Sequence, residues 1–225
     1  MTTPRIPPVD PSDQPGLEPV MAGAARAMGF VPNSYLTMAH IPQLPAAFSL
    51  LATVVYGGDM TPMLRRLAEQ TPDPLNAEER LPPSLLQLIA FATSLSAGCQ
   101  YCQAHTSHNL QRSGADPGQL DDILNYADSP RFSPAERAVL DLAFAAGRVP
   151  NEAESAHFDA LGQHFSQVQI VQITSMIALF GFLNRWNDTV ATSLEAHPTE
   201  FASEALRHLD WSAGKHGDQP TAPEK

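Results

Sequence analysis

The chain has 225 residues, 43% hydrophobic and 16% charged, and its 24 acidic against 13 basic side chains give a formal net charge of −11. This acidity argues against nucleic acid or an anionic membrane surface as a partner, because both would repel the chain. The N-terminal sequence lacks the apolar stretch of a signal peptide, and the longest apolar run, residues 176–183, is too short for a membrane span. We therefore expect a cytoplasmic protein with no membrane partner.

The two ends of the chain differ in composition from the region between them. Prolines are dense in the first twenty residues and block helical hydrogen bonding, so residues 1–15 are predicted to form an extended N-terminal arm. Residues 212–225 are polar with no apolar period and are predicted to form a C-terminal tail. We expect a single helical domain over residues 16–211.

Apolar residues at helical spacing predict helices through most of this domain. The predicted helices cover residues 17–28, 42–56, 82–97, 99–112, a short segment after Asp116, 134–146 and 167–193. Glycines end several of them, Ser133 and Glu136 form a capping box, and Asn151 is a candidate cap for the helix before the last. Alternation of period two is absent, so the predicted fold class is all-α. Residues 83–98 and 134–147 resemble each other faintly, which is weak evidence of an internal duplication.

The two cysteines carry the clearest chemical signal. Cys99 and Cys102 form a Cys-Gln-Tyr-Cys motif at the start of a predicted helix, and the chain has no other cysteine. Two cysteines exclude a disulfide framework and a four-cysteine zinc site. The free amides and dipole of a helix N-terminus stabilise a thiolate, which favours Cys99 as the more acidic thiol. The second cysteine lies one turn further, close enough to form a disulfide with the first.

Two histidines follow the motif on the same side of the helix. His105 and His108 lie three and six residues after Cys102, and either imidazole could exchange a proton with a thiol. The four side chains are also zinc donor types, but one continuous helix spreads them too far along its axis to close a tetrahedron. We therefore predict no metal. A buried structural cysteine pair remains an alternative, but a redox-active dithiol is the favoured interpretation.

Several segments resemble one known family. The Gly98-Cys99-Gln100-Tyr101-Cys102 segment is similar to the motif of the alkylhydroperoxidase AhpD-like, or carboxymuconolactone decarboxylase-like, superfamily. The segments GFVPN at 29–33, FSPAER at 132–137 and FLNRW at 182–186 resemble other parts of its larger members. The resemblance covers roughly residues 16–195 and implies an AhpD-like helical fold.

The resemblance implies a peroxidase without haem, flavin or another cofactor. A cysteine thiolate attacks a hydroperoxide and becomes a sulfenic acid, the second cysteine condenses with it, and a dithiol donor such as a lipoyl domain or thioredoxin-like protein reduces the disulfide. It assigns the attack to Cys102 and the resolving role to Cys99, which conflicts with the helix-dipole argument. His105 is the expected proton acceptor, with His108 as a second relay residue and Tyr101 at the pocket wall. A homo-oligomer, a trimer or hexamer, is also implied.

Two positions depart from the family pattern. Gln87 stands where the family has a glutamate, twelve residues before the first cysteine, and an amide cannot act as the base. The family histidine falls where this chain has Thr106, so the ring of His105 is rotated by about 100° around a regular helix. The expected proton relay is therefore altered.

Two alternatives to a peroxidase remain. One is a lyase of the carboxymuconolactone decarboxylase type, which needs a base and a polar pocket but no dithiol. The other is a non-catalytic redox-sensing module in which a disulfide changes packing. Outside the motif, Arg185 stands in an otherwise apolar helix and is expected at an interface, with Asp188 three residues on as its candidate partner.

Overall fold

The structure is a computed structural model that describes residues 4–13 and 15–217. These residues form eleven α-helices and short 3-10 turns, with no strand among them. The all-α prediction is confirmed. The residues assigned to one domain fall into two compact units, one running to Arg80 and including Ser166–Gln172, the other comprising Leu81–Phe165 and the chain from Ile173.

The first unit contains four helices around a small apolar core. They are α1 (Glu18–Met28), α2 (Asn33–Met38), α3 (Gln43–Val55) and α4 (Thr61–Glu69). The core contains Leu17, Val20, Met21, Ala24, Tyr35, Ala39 and Ala46. The proline-rich arm packs within this unit, because the Val9 amide donates to the Leu36 carbonyl at 3.1 Å and His40 Nε2 donates to the Pro7 carbonyl at 2.8 Å. Residues 1–3 and 14 of the arm lie outside the described residues.

The second unit holds the remaining helices and the cysteine motif. They are α5 (Pro83–Ala97), α6 (Gln100–Arg112), α7 (Gly118–Asp121), α8 (Pro134–Gly147), α9 (Ser155–Leu161), α10 (Gln167–Val190), whose first turns belong to the first unit, and α11 (Ala196–Ala205). α5 packs against both α6 and α8, and α11 packs against α6. Ile89, Phe91, Leu140 and Ile173 are buried completely in this unit, so α5 is central to its core.

Local signals set most of the helix ends, with one exception. Ser133 and Glu136 form the predicted capping box of α8, and Asp116 Oδ1 accepts from the Gly118 amide at the start of α7. The prediction that Asn151 caps α9 is wrong. The cap is Glu154, which exchanges hydrogen bonds with His157, whereas Asn151 accepts from the Ala153 amide in the preceding turn. Both residues suit a cap, and the reciprocal pair is the one that forms.

α10 has 24 residues and lies within the predicted range of 167–193. By length and composition alone it could cross a membrane, and it is the one such helix within the described ranges. The uninterrupted apolar run of residues 176–183 is only a third of this helix, so its length alone did not indicate a possible span. Its last two turns carry polar side chains, among them Asn184, Arg185, Asn187 and Asp188. Several of these belong to the site described below.

The predicted C-terminal tail is folded onto the second unit as far as it is described. Residues Gly214–His216 form a 3-10 turn, and His216 is only 1% exposed. The Leu194 amide donates to the His216 carbonyl at 2.8 Å, which fixes this turn beside the end of α10. Residues 218–225 of the predicted tail lie outside the described residues.

Replacing Leu140 by alanine tests the core of the second unit. Leu140 is 0% exposed, so Leu140→Ala removes buried methyl groups and leaves a cavity, and the free energy of unfolding should fall by about 2–5 kcal/mol. The matched control Leu124→Ala alters a side chain that is 67% exposed and should cost less than about 0.5 kcal/mol. Denaturant unfolding of both variants measures the difference, and equal losses would contradict this core assignment.

Candidate active site

Cys99 occupies the N-cap of α6. α5 ends at Gly98, whose φ of +75° is accessible to glycine at low cost, and this turn leads directly into Cys99 in an extended conformation. The Cys102 amide then donates to Cys99 Sγ at 3.5 Å, as it would to the oxygen of a serine or aspartate cap. Both cysteines are buried, at 1% and 3% exposure. The motif therefore places a sulfur at the positive end of a helix and away from water.

The two thiols have opposite pKa shifts. A hydrogen bond from the Cys102 thiol lowers the pKa of Cys99 below the ordinary thiol value, and this outweighs the effect of burial. The same hydrogen bond, together with burial, raises the pKa of Cys102. Of the two thiols, Cys99 is therefore the one that ionises at lower pH, with the Cys102 thiol as its hydrogen-bond donor. This agrees with the helix-dipole argument, whereas the family resemblance assigns the attacking role to Cys102.

Asn187 holds the second cysteine from α10. Its Nδ2 donates to Cys102 Sγ at 3.5 Å, and its Oδ1 accepts from Thr192 Oγ1 at 2.9 Å. These two contacts fix the orientation of the amide. Ala191, with a φ of +50°, turns the chain at the end of α10 and brings Thr192 back towards Asn187. Sequence analysis gave Asn187 no role, because its contact with the motif is purely tertiary.

His105 is turned towards a carboxylate. Its Nε2 lies 2.7 Å from Glu195 Oε2, and its ring stacks on Tyr101 at a centroid distance of 4.5 Å. Tyr101 donates to the other oxygen of Glu195 at 3.1 Å. Within the described residues, His105 makes no hydrogen bond to either sulfur. Its expected role as proton acceptor for Cys102 therefore has no direct contact to support it.

These contacts shift the pKa values of the groups beside His105. Burial and the neighbouring Glu195 carboxylate raise the pKa of Tyr101 to about 12, so Tyr101 is a neutral donor at physiological pH. Burial alone would raise the pKa of Glu195, but hydrogen bonds from its own backbone amide and from His105 lower it overall. Glu195 is therefore an anion that holds both aromatic rings at the start of α6.

The other two expected relay residues lie elsewhere. His108 packs against His197 and Phe201 of α11, at centroid distances of 4.6 and 5.3 Å, and burial together with the charge of His197 lowers the pKa of His108. Gln87 lies in α5, where its buried Oε1 has no hydrogen-bond partner among the described residues. Within the residues that the structure describes, neither His108 nor Gln87 forms a hydrogen bond with a cysteine.

Two residues that sequence analysis did not assign to the site lie beside Cys99. Cys99 Sγ, a carboxylate oxygen of Asp188 and a ring nitrogen of His216 are all within 4.8 Å of one another. The expectation that Asp188 pairs with Arg185 is wrong, because the Asp188 Oδ1 atom pairs with Lys215 Nζ at 2.8 Å. The C-terminal turn supplies this lysine, and no local pattern in the sequence marks it.

The Cys99, Asp188 and His216 side chains are donor types that metals use. However, Asp188 Oδ1 already forms an ion pair with the Lys215 ammonium. The same oxygen is 3.7 Å from His216 Nε2. A second cation at this oxygen would be repelled by the ammonium. The donor set therefore suits a thiol with its proton acceptor better than a metal ion.

A cleft of about 720 Å³ opens beside this group of residues. Asp188 belongs both to its wall and to the cluster around Cys99, and Ala97, two residues before Cys99, also lines it. Its other polar lining residues are Thr93, Ser96, Arg148, Asn151, Glu152, Asn184, Arg185 and Thr189. Its volume falls in the range of small-molecule sites.

The chain is similar to known proteins over most of its length. A sequence model of the carboxymuconolactone decarboxylase family matches residues 61–145. The debrominase Bmp8, solved as a cysteine-to-alanine variant with 2,3,4-tribromopyrrole, is 32% identical, with 91% of this chain and 98% of that chain covered and a TM-score of 0.55. The chain belongs to the carboxymuconolactone decarboxylase family. The AhpD-like resemblance is thereby confirmed.

Two further comparisons also match this chain. The apo structure of Bmp8 is also 32% identical, with 89% of this chain and 97% of that chain covered and a TM-score of 0.54. The uncharacterized protein YnjA of Escherichia coli K12 is 26% identical over 110 residues, which are 49% of this chain and 60% of YnjA. The family match at 61–145 includes both cysteines but ends before Asn187, Asp188, Glu195 and His216.

Changing Cys102 tests the cause of the Cys99 pKa shift. Cys102→Ala removes the thiol donor, which is the largest cause of the lowered pKa, so the Cys99 thiolate should form at higher pH than in the unmodified protein. Cys102→Ser keeps a hydroxyl donor and should shift the midpoint less. Ultraviolet absorbance of the thiolate as a function of pH measures the midpoints. An unchanged midpoint in Cys102→Ala would contradict the assigned hydrogen bond.

Proposed function

We propose that this protein is a dithiol oxidoreductase that reduces a hydroperoxide, with Cys99 as the attacking thiolate and Cys102 as the resolving thiol. The supporting observation is the pair of adjacent, buried sulfurs with opposite pKa shifts. A thiolate is the reactive form of cysteine, and a neighbouring protonated thiol is the group that can resolve the oxidised product. The assignment reverses the cysteine roles that the family resemblance implies.

The reaction needs no resident cofactor. The Cys99 thiolate attacks the terminal oxygen of the hydroperoxide, an S–O bond forms, the O–O bond breaks, and the alkoxide leaves as an alcohol after taking one proton. Cys102 then attacks the sulfenic acid sulfur, which forms the disulfide and releases water. A dithiol donor, such as a lipoyl group or a thioredoxin-like protein, would return the disulfide to two thiols.

A second candidate substrate is a halogenated aromatic compound. The observation that favours it is the similarity to the debrominase Bmp8 across 91% of this chain. In this reaction the Cys99 thiolate would take the halogen as an S–halogen bond, and the ring carbon would take a proton. Cys102 would then displace the halide to form the same disulfide. In total, one carbon–halogen bond and two thiols are converted to one carbon–hydrogen bond, one disulfide and one hydrogen halide.

The site fits both dithiol reactions better than the lyase alternative. A decarboxylating lyase would not depend on either cysteine, whereas here the polar contacts of Asn187 and the α6 N-terminus converge on the two sulfurs. The cleft beside Asp188, which Ala97 also lines, is the space of small-molecule size next to the motif. A non-catalytic redox sensor would be oxidised once and would show no turnover with a dithiol reductant.

Single-turnover oxidation tests the proposed chemistry. Excess organic hydroperoxide should remove both thiols of the reduced protein and form one intramolecular disulfide, because Cys102 resolves the oxidised Cys99. With one equivalent of hydroperoxide, Cys102→Ser should gain one oxygen atom as a sulfenic acid, and Cys99→Ser should keep its thiol. Intact mass and thiol counting distinguish these products. A parallel reaction with a bromopyrrole, followed by halide release, compares the second substrate class.

Each other result would overturn part of the proposal. A sulfenic acid trapped in Cys99→Ser but not in Cys102→Ser would return the attacking role to Cys102. Thiols that survive hydroperoxide but are lost with halide release would identify the dehalogenase. Thiols that survive both substrates would remove the dithiol enzyme altogether.

We also propose that the protein is a homo-oligomer, a trimer or hexamer, that associates through α10. Leu179, Phe182, Trp186 and Val190 lie on one side of this helix and are 46–58% exposed. Phe182 and Trp186 stack on each other at 6.3 Å. Side chains of this size are the type that interface centres bury.

Placing a charge on this stripe tests the interface. Trp186→Glu should lower the mass in solution, because a buried unpaired carboxylate at an interface is costly. The matched control Ala156→Glu adds the same charge to an exposed position on α9 and should leave the mass unchanged. Light scattering after size exclusion measures both. A monomeric unmodified protein would contradict the proposal.

A further inference from the structure

His216 has one ring nitrogen in use and one free. Its Nδ1 lies 2.8 Å from the Thr192 carbonyl oxygen. Because a carbonyl oxygen can only accept, Nδ1 carries the proton in this contact, and in the neutral ring Nε2 keeps its lone pair. Nε2 is buried and has no hydrogen-bond partner among the described residues. A buried base in a fixed tautomer is therefore present.

The free nitrogen belongs to a ring that lies beside two acidic side chains. Asp188 Oδ1 is 3.7 Å from His216 Nε2, and Cys99 Sγ belongs to the same cluster of donor atoms within 4.8 Å. A thiolate and a carboxylate both stabilise a neighbouring imidazolium. Lys215 neutralises the second negative charge, because its Nζ pairs with Asp188 Oδ1. With Cys99 and Asp188 negative and His216 and Lys215 positive, the four charges sum to zero.

The other groups around His216 do not compete for this role. From α6, Tyr101 contacts the ring at a centroid distance of 5.9 Å, and its raised pKa keeps it neutral. Glu195 is bound by Tyr101 and His105. The backbone of His216 is also held in place, because the Leu194 amide donates to the His216 carbonyl oxygen at 2.8 Å.

We propose that His216 is the proton acceptor of Cys99, that Asp188 is its positioning residue, and that the C-terminal turn thereby completes the active site. The inference rests on the proposed dithiol function and replaces His105 as the partner of the attacking sulfur. The class of site is a thiolate–imidazolium pair oriented by a carboxylate, which is a known way to activate a cysteine nucleophile.

One proton moves from the Cys99 thiol to His216 and then to the leaving alkoxide. His216 Nε2 takes the proton of the Cys99 thiol, which gives a thiolate and an imidazolium. The thiolate forms the S–O bond as the O–O bond of the hydroperoxide breaks, and the imidazolium gives its proton to the leaving alkoxide. The sum is a thiol and a hydroperoxide converted to a sulfenic acid and an alcohol, with His216 neutral again and ready to assist the attack of Cys102.

His216→Asn in the full chain tests this role. The asparagine amide can still donate to the Thr192 carbonyl but has no nitrogen base to face Cys99. At neutral pH the rate of single-turnover thiol oxidation should fall about 100-fold. The rate should recover towards that of the unmodified protein in alkaline solution, where Cys99 ionises without help. The matched control His164→Asn changes an exposed histidine of the same unit and should leave the rate unchanged.

The pH at which Cys99 ionises can be measured in the same variants without any peroxide. Thiolate absorbance should show the Cys99 midpoint at higher pH in His216→Asn than in the unmodified protein and in His164→Asn. An unchanged midpoint and an unchanged rate at neutral pH would overturn the proposal. An equal loss of rate at every pH would also overturn it, since that is the result of a structural defect. Because this readout needs no substrate, failure of the peroxidase function alone would leave the midpoint shift in place.

A measurement on the unmodified protein avoids the risk that the variant misfolds. Nitrogen NMR of the imidazole rings should show His216 doubly protonated while Cys99 is a thiolate. In Cys99→Ser the ring should return to the neutral form with its proton on Nδ1. A neutral His216 ring at a pH where the Cys99 thiolate is present would contradict the ion pair.

Discussion

A sulfur atom at the N-cap of α6, buried at 1% exposure, sets the conditions that its surroundings must meet. The helix end offers amide donors, which favour a negative charge, while exclusion of water makes an unpaired charge costly. The structure resolves this conflict by supplying donors: the Cys102 amide donates to the Cys99 sulfur, and the Cys102 thiol lowers the pKa of Cys99. An oxygen cap would satisfy the helix equally well. Only sulfur adds redox chemistry at that position.

Polar groups at the C-terminal end of α10 also contact or surround the two sulfurs. Asn187 donates to Cys102 and accepts from the Thr192 hydroxyl, and the Thr192 carbonyl accepts from His216. His216 in turn lies in the cluster with Cys99. Residues of α6, α10 and the C-terminal turn thus surround both sulfurs with polar groups. In such a network each group orients the next, so the effect of losing one member reaches the others.

The parts of the fold that depend on near neighbours could be predicted from the sequence. Gly98 ends α5 and the Ser133 box begins α8 because a glycine in the left-handed region and a reciprocal cap act within a few residues. The cap of α9 was mispredicted where two suitable residues, Asn151 and Glu154, compete. The division of the described chain into two units depends on packing over long sequence separations, for which the pattern gives no signal.

The site divides in the same way. The cysteine motif and the acidity of Cys99 follow from helix geometry and could be predicted. His105 was expected to serve the cysteines because of its spacing along α6, but the loop residue Glu195 binds it instead. His216 was assigned to a tail, since the segment around it has no apolar period. Hydrogen bonds with residues 192 and 194 hold His216 in its buried position, and the spacing of residues in the sequence does not predict these bonds.

The anchoring of His216 beside the motif has a consequence for how such proteins diverge. The segment by which the family is recognised ends at residue 145, yet part of the chemical environment of Cys99 comes from residues 188 and 216. Two homologues can therefore share an identical cysteine motif and differ in the reactivity of its first thiol. Substitutions in the turn around residue 216, outside the segment that the family model matches, are then a route by which one scaffold acquires different chemistries.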